Sequence, residues 1–212
     1  MASPHFSSAL PSSTETLLSR LLEKTIRRSQ ALDTESLCLI AGSKVWSIRA
    51  DVHVLSHDGN LVDAACIGVL AALGHFRKPD TSTEGESVTV YTSAERELVP
   101  LSLLHMPLCV TFSFYPGGGA EGEERVLVDT DLLEEGLREG CCTFGLNRHG
   151  EICQIAKLGG MPMDAVALLH CVNVAAIKVK TISTYITKRL AEDSRKRDKG
   201  GLAAQLSSEN SR

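Results

Sequence analysis

The chain has no net positive charge, no CxxC pair, few aromatic rings and no apolar run of membrane length. Each absence excludes something. A formal net charge of −4 gives no global field to draw in nucleic acid, so any such binding has to come from a local cationic patch. Aromatics at 4% leave a core made mainly of Leu, Val, Ile and Ala. The seven cysteines, at 38, 66, 109, 141, 142, 153 and 171, are odd in number and sit mostly in apolar runs. That argues against a disulfide framework or a zinc site and for small buried thiols in a reducing compartment. The opening "MASPHFSSALPSS" lacks the charged and apolar regions of a secretory signal. Residues 61–73, the longest nearly apolar stretch, are too short to cross a bilayer. An intracellular, soluble protein with no membrane partner, no cofactor and no metal is expected.

With 212 residues, 43% of them hydrophobic, there is enough chain to bury one sizeable core. Ser12 and Glu15 have capping-box spacing at the start of a first helix. Leu17, Leu18, Leu21 and Leu22 form its apolar face, while Arg20, Lys24, Arg27 and Arg28 recur at i, i+4, i+7 and i+8 and form a cationic one. Such a stripe is ordinarily a solvated face; read more sharply, it is a strip that holds a phosphate backbone. Two strands follow, "ESLCLIA" and "KVWSIRADVHVLS", the second alternating between apolar and polar residues. A helix over 61–76 is apolar nearly all round and should be central.

Further strands are read at "ESVTVYT", "LCVTFSFY" and "RVLVDT", with "PGGGAEGEE" as a loop and "DLLEEGLRE" as a short acidic helix. "CCTFGLNRHGEICQIAKL" reads as a hairpin turning at Asn147 to Gly150. A last helix starts near Asp164, with Val172, Ala175, Val179, Ile182, Ile186 and Leu190 as its stripe. The charged, small-residue end of the chain should be solvated. The pattern is α+β, with antiparallel hairpins packed under a few helices.

The stretch "HDGNLVD", residues 57–63, joins the second strand to the central helix. Asp58-Gly59 suits a tight turn, Asn60 an N-cap and Asp63 the first helical turn. Helix N-termini bind anions, but two carboxylates here oppose one and Val62 supplies no cation. His53 and His57 read as strand-face and turn residues, because no ligand spacing surrounds them. Trp46 reads as packing at a strand edge or subunit contact, and "SRKRDK" as a solvated helix end that could also support nuclear targeting.

Residues 32–80, "LDTESLCLIAGSKVWSIRADVHVLSHDGNLVDAACIGVLAALGHFRKPD", resemble the RNase PH-like subunits of the eukaryotic RNA exosome ring. "VPLSLLHMPLCVTFSF" and "HGEICQIAKLGG" stand in the expected later places, and "CLIAGSKVW" and "HFRKPD" favour one branch of the family over neighbouring ring subunits. The likeness covers about residues 2–198. It implies a ribosomal protein S5 domain 2-like (RNase PH-like) fold over 1–198, with 199–212 as a solvated or disordered tail. The implied partners are the other RNase PH-like exosome subunits of a six-membered ring, the exosome cap proteins, a separate hydrolytic nuclease subunit, and RNA. The implied compartments are the nucleus, nucleolus and cytoplasm. The resemblance places the helix bearing Arg20, Lys24, Arg27 and Arg28 near the RNA channel.

Departures from the family's active members bear on chemistry. Those members carry Gly-Gly-Thr-Arg where this chain has Gly59-Asn60-Leu61-Val62, so the Thr hydroxyl and Arg guanidinium that would hold phosphate are missing. They also carry two aspartates six residues apart. Glu134-Glu135 stands near the first position and Gly140 or Cys141 at the second. No catalytic residue is therefore expected; the alternative is an active phosphate-dependent 3′-to-5′ exoribonuclease. The family's domain normally has another strand-rich segment ahead of the first helix. The resemblance implies a fungal-like chain shortened at that end, either by a truncated gene model or as a short form, and such a chain is expected to expose a sheet edge or apolar face.

Overall fold

Four antiparallel strands, in the order Ile152–Gly159, Gly140–Leu146, Leu108–Tyr115 and Arg125–Val128, form the main sheet. The computed structural model describes residues 13–116, 125–160 and 162–197. Within them the chain runs α1 (Ser13–Glu23), β1 (Cys38–Ile40), β2 (Lys44–Val45), α2 (Leu61–His75), β3 (Arg77–Lys78), β4 (Thr81–Glu84), β5 (Ser87–Val90) and β6 (Val99–Pro100). It continues through β7 (Leu108–Tyr115), β8 (Arg125–Val128), α3 (Leu132–Leu137), β9 (Gly140–Leu146), β10 (Ile152–Gly159) and α4 (Ala165–Arg197). The architecture is the mixed α and β one that the sequence pattern implies.

β7 and β9 are central and buried on both faces, as their unbroken apolar and small-residue runs require. Cys109 and Thr111 of β7 face α1 and α2, while Cys142 of β9 lies beside Cys171 of α4, where burial pushes its thiol up to about 11. The core joins Leu70, Leu108, Val110, Phe112, Phe144, Leu146, Ala175 and Val179. Phe112 and Phe144 meet edge to face at 5.6 Å between centroids. The hairpin turns where the sequence places it: the Gly150 amide donates to the Asn147 carbonyl at 3.0 Å.

α4 follows its stripe, with Ala175, Val179 and Ile186 buried and Val172, Ile182 and Leu190 packed beside them. It is long and apolar enough to cross a membrane by length and composition. Its buried stripe nevertheless lies against the sheet, which is the arrangement of a core helix. It also continues as helix through Arg197, past the point where the composition turns charged. Ser12, the tail from 198 onward and residues 117–124 of the Gly-rich loop lie outside the described residues.

Two expectations are corrected. The helical repeat that put four cations at regular spacing does not persist, because α1 widens into a π-turn over Lys24–Arg28, with the Ala31 amide reaching back five residues to the Ile26 carbonyl at 3.1 Å. The widening lets Thr25 sink into the core, where it donates to Gln154 Oε1 at 3.0 Å and packs on Gly145 of β9. The second strand also stops short. Ladder pairing ends at Val45, and residues 46–56 form no strand although their apolar alternation is strand-like. Among the described residues, no backbone–backbone hydrogen bond involves Ser47–Ser56, so the segment arches over an apolar trough with cavities of 850 Å³ toward α2 and 1280 Å³ toward α1. Trp46 sits at its rim against Leu37, Leu73 and Leu101. One pairing is absent from the sequence pattern: β4 forms a hairpin with β5.

Candidate phosphate and nucleic-acid sites

The turn before α2 is built by two left-handed residues. Gly59 has φ +92°, and a Cβ there would lie 2.3 Å from the Thr130 carbonyl oxygen, so the backbone approach admits no side chain. Asn60 has φ 47° and does not cap the helix, contrary to expectation; its Nδ2 donates instead to Asp129 Oδ1 at 2.8 Å. The His57 ring accepts from the Gly59 amide at 3.2 Å, which is the turn role that the sequence gives it, and His53 is exposed.

Asp63 does not face the helix end as expected. It is buried, and its carboxylate accepts from the Thr111 amide and hydroxyl, each at 2.8 Å. Burial dominates its titration and raises its pKa above the ordinary carboxylate value, against the lowering effect of the Thr111 hydrogen bonds. Thr111 Oγ1 also lies 3.0 Å from Thr143 Oγ1, so the carboxylate anchors α2 to both central strands.

A carboxylate of the chain itself meets the backbone amide just ahead of α2. Glu135 Oε1 accepts from the Asn60 amide at 3.2 Å and from Arg138 Nη1 at 3.1 Å. Arg138 donates as well to Ser113 Oγ at 3.3 Å, and Ser113 Oγ lies 3.1 Å from Thr130 Oγ1. Asp131 and Glu134 form a reciprocal capping box on α3, which holds Glu135 and Arg138 one turn apart on the side toward Asn60. The fold therefore gathers the 59–62 turn, the Glu134-Glu135 pair and Cys141, as the sequence grouping requires. Glu134 does first-turn helix work, while Glu135 reaches across to α2.

Arg138 is the participant the sequence reading misses. Its spacing of three from Glu135 on an acidic helix was a visible signal. Burial pushes the Cys141 thiol up, with Arg138 acting against it. Burial also raises the pKa of Tyr115, whose hydroxyl donates to the Glu134 carbonyl at 2.9 Å. Beside Gly140 the open space is only 10 Å³, about the room one water needs.

Arg20, Lys24, Arg27 and Arg28 are all exposed. Arg27 pairs with Glu23 at 3.2 Å within the same helix, an exposed pair that adds little to stability. No group of three or more His, Cys, Asp or Glu able to hold a metal ion occurs among the described residues.

Two family models match the chain: 3′ exoribonuclease family, domain 1, over residues 1–79, and domain 2 of the same family over residues 105–178. The chain is 49% identical over 205 residues to the exosome complex component RRP45 of Saccharomyces cerevisiae, covering 93% of this chain and 67% of that protein. It is 48% identical over 206 residues to its counterpart in Schizosaccharomyces pombe, with 97% and 69% covered. With the human counterpart the figures are 44% over 201 residues, 95% and 45%. Among solved structures, an archaeal exosome core superposes with a TM-score of 0.65 at 25% identity, covering 82% of this chain and 64% of that one. The Archaeoglobus fulgidus exosome with RNA bound to its active site superposes with a TM-score of 0.69 at 24% identity, covering 87% and 66%.

Proposed function

This chain belongs to the 3′ exoribonuclease family, whose two domains it carries in order, and from that premise we propose that it works in the exosome ring as a non-catalytic subunit. The observation that carries the non-catalytic reading is the Glu135 carboxylate on the Asn60 amide. Phosphate, the nucleophile of a phosphorolytic relative, would need that amide and a free cation. Here the amide is engaged by an internal anion, Leu61 and Val62 offer no donor side chain, and Arg138 is bound to the same Glu135. Two like-charged groups cannot share the position without loss.

The subunit's work is then to hold its neighbours and to line the RNA path, supporting 3′-to-5′ processing and degradation carried out elsewhere in the complex. Its partners are the other RNase PH-like exosome subunits, the cap proteins and the hydrolytic nuclease subunit, in the nucleus, nucleolus and cytoplasm. Residues 1–198 act as one partial RNase PH-like domain, with 199–212 as its tail. Arg20, Lys24, Arg27 and Arg28 are the RNA contacts. Their exposure supports this role, as does the place of Lys24, Arg27 and Arg28 on a widened helical turn, a feature that recurs at functional sites.

The test is a salt titration of RNA binding by a ring reconstituted with the full chain. Arg27→Glu with Arg28→Glu should leave the ring assembled, weaken binding to RNA of any sequence, and flatten the salt dependence by about 0.7 in slope per lost contact. An intact ring whose affinity and slope are unchanged would remove the RNA-contact role. A wild-type chain that fails to join the other subunits would remove the ring role itself.

A further inference from the structure

Thr25 is a polar residue with no exposed surface, and it follows Leu21 and Leu22 on the inward side of their helix. Its hydroxyl donates to Gln154 Oε1 at 3.0 Å and lies 3.5 Å from Cys109 Sγ. The single hydroxyl proton goes to Gln154, so the Cys109 thiol donates to the Thr25 oxygen. One side chain therefore ties the widened turn to β10 and β7. Its methyl meets β9, where a Cβ on Gly145 would stand 3.4 Å from Thr25 Cγ2. Filling this space needs no hydroxyl, because valine has the same shape. What the hydroxyl adds is a fixed rotation of the turn about its axis.

The turn is held from its carbonyl side as well. Ser29 Oγ donates back to the Thr25 carbonyl and, at 3.3 Å, to the Ile26 carbonyl. His105 Nε2 stands 2.7 Å from the Ser29 carbonyl, which can only accept, so that nitrogen carries the proton. Gln30, at φ 58°, then takes the chain out of the helix. The consequence falls on Arg28. In an uninterrupted α-helix, residues at i, i+4 and i+7 share a face, which would set Arg28 on the side of the buried Leu21 and Thr25. The five-residue reach from the Ala31 amide to the Ile26 carbonyl delays the return of the chain to the core until Ala31, which is fully buried. Arg28 passes outside and stays exposed with Lys24 and Arg27.

We propose that Thr25 is a positioning residue for RNA: its bond to Gln154 holds the π-turn that keeps Arg28 in the cationic strip. The inference rests on the RNA-contact role of that strip and adds the buried residue that sets its geometry.

The test measures RNA affinity and its salt slope with rings reconstituted from the full chain carrying Thr25→Val, Thr25→Ser, Arg28→Gln, or Thr25→Val together with Arg28→Gln. Thr25→Val keeps the volume and removes the donor. It should weaken binding about fivefold at about 0.1 M salt and flatten the slope by about 0.7, the loss of one phosphate contact. Thr25→Ser keeps the hydroxyl and should retain the wild-type slope. Arg28→Gln should reproduce the valine effect, and the double variant should bind no more weakly than Arg28→Gln alone, because both changes act on one contact. A residue that only supports the fold would lower stability and leave the slope where it is. If Thr25→Val does not assemble, Gln154→Leu removes the acceptor from the β10 side and carries the same expectation. An unchanged slope in Thr25→Val or Gln154→Leu, while Arg28→Gln flattens it, would overturn the positioning role alone. So would a double variant a further fivefold weaker than Arg28→Gln. An unchanged slope in Arg28→Gln would remove the Arg28 contact and this inference with it.

Discussion

Asp63 is a buried carboxylate whose value to the fold lies in two hydrogen bonds to Thr111. Asp63→Ala leaves the Thr111 amide buried without an acceptor and should cost about 1–3 kcal/mol in urea unfolding. Asp63→Asn keeps one acceptor for the amide and presents a donor to the Thr111 hydroxyl, so it should cost less. The two differ also in pH dependence. Because burial holds the folded pKa above the ordinary 3.8, the folded state binds the proton more tightly than the unfolded one. The stability contributed by this group is fully present below 3.8 and is lost as pH rises through the raised folded value. The Asn variant, having no such proton, should gain on the wild type over that interval; parallel stability curves for the two would contradict the assignment.

At the scale of elements, the turn at 57–60 joins α2 to α3 and sets the distance at which Glu135 meets Asn60. Gly59→Ala combines a left-handed φ with a Cβ inside the Thr130 backbone, and should destabilise by more than about 2 kcal/mol in thermal unfolding. A neutral substitution would mean that the turn relaxes freely. This level was largely legible beforehand. The hairpin at Asn147–Gly150, the stripe of α4 and the apolar α2 follow from periodicity and turn residues, which are local causes. What was not legible depends on neighbours. The segment after Val45 has a strand's alternation but no ladder, because alternation records which face is apolar and not whether a backbone lies alongside. The π-turn at Lys24–Arg28 comes from Thr25 docking on Gly145 and Gln154, both more than a hundred residues away. Asn60 looked like a cap, but its αL geometry turned the side chain to Asp129.

For the molecule as a whole, both domain models of the family match in order, and the proposed non-catalytic role rests on Glu135, which meets the Asn60 amide and Arg138. The sequence carried half of that account, through Leu61 and Val62 and the missing second acid at Gly140 or Cys141. Only the fold brings α3 to the start of α2. The direct measurement is release of nucleoside diphosphates from a labelled RNA by the purified full chain in phosphate buffer with magnesium. No phosphate-dependent release is predicted. Phosphate-dependent release that disappears when Glu134 and Glu135 are both changed to Ala would contradict the account and make the chain an enzyme.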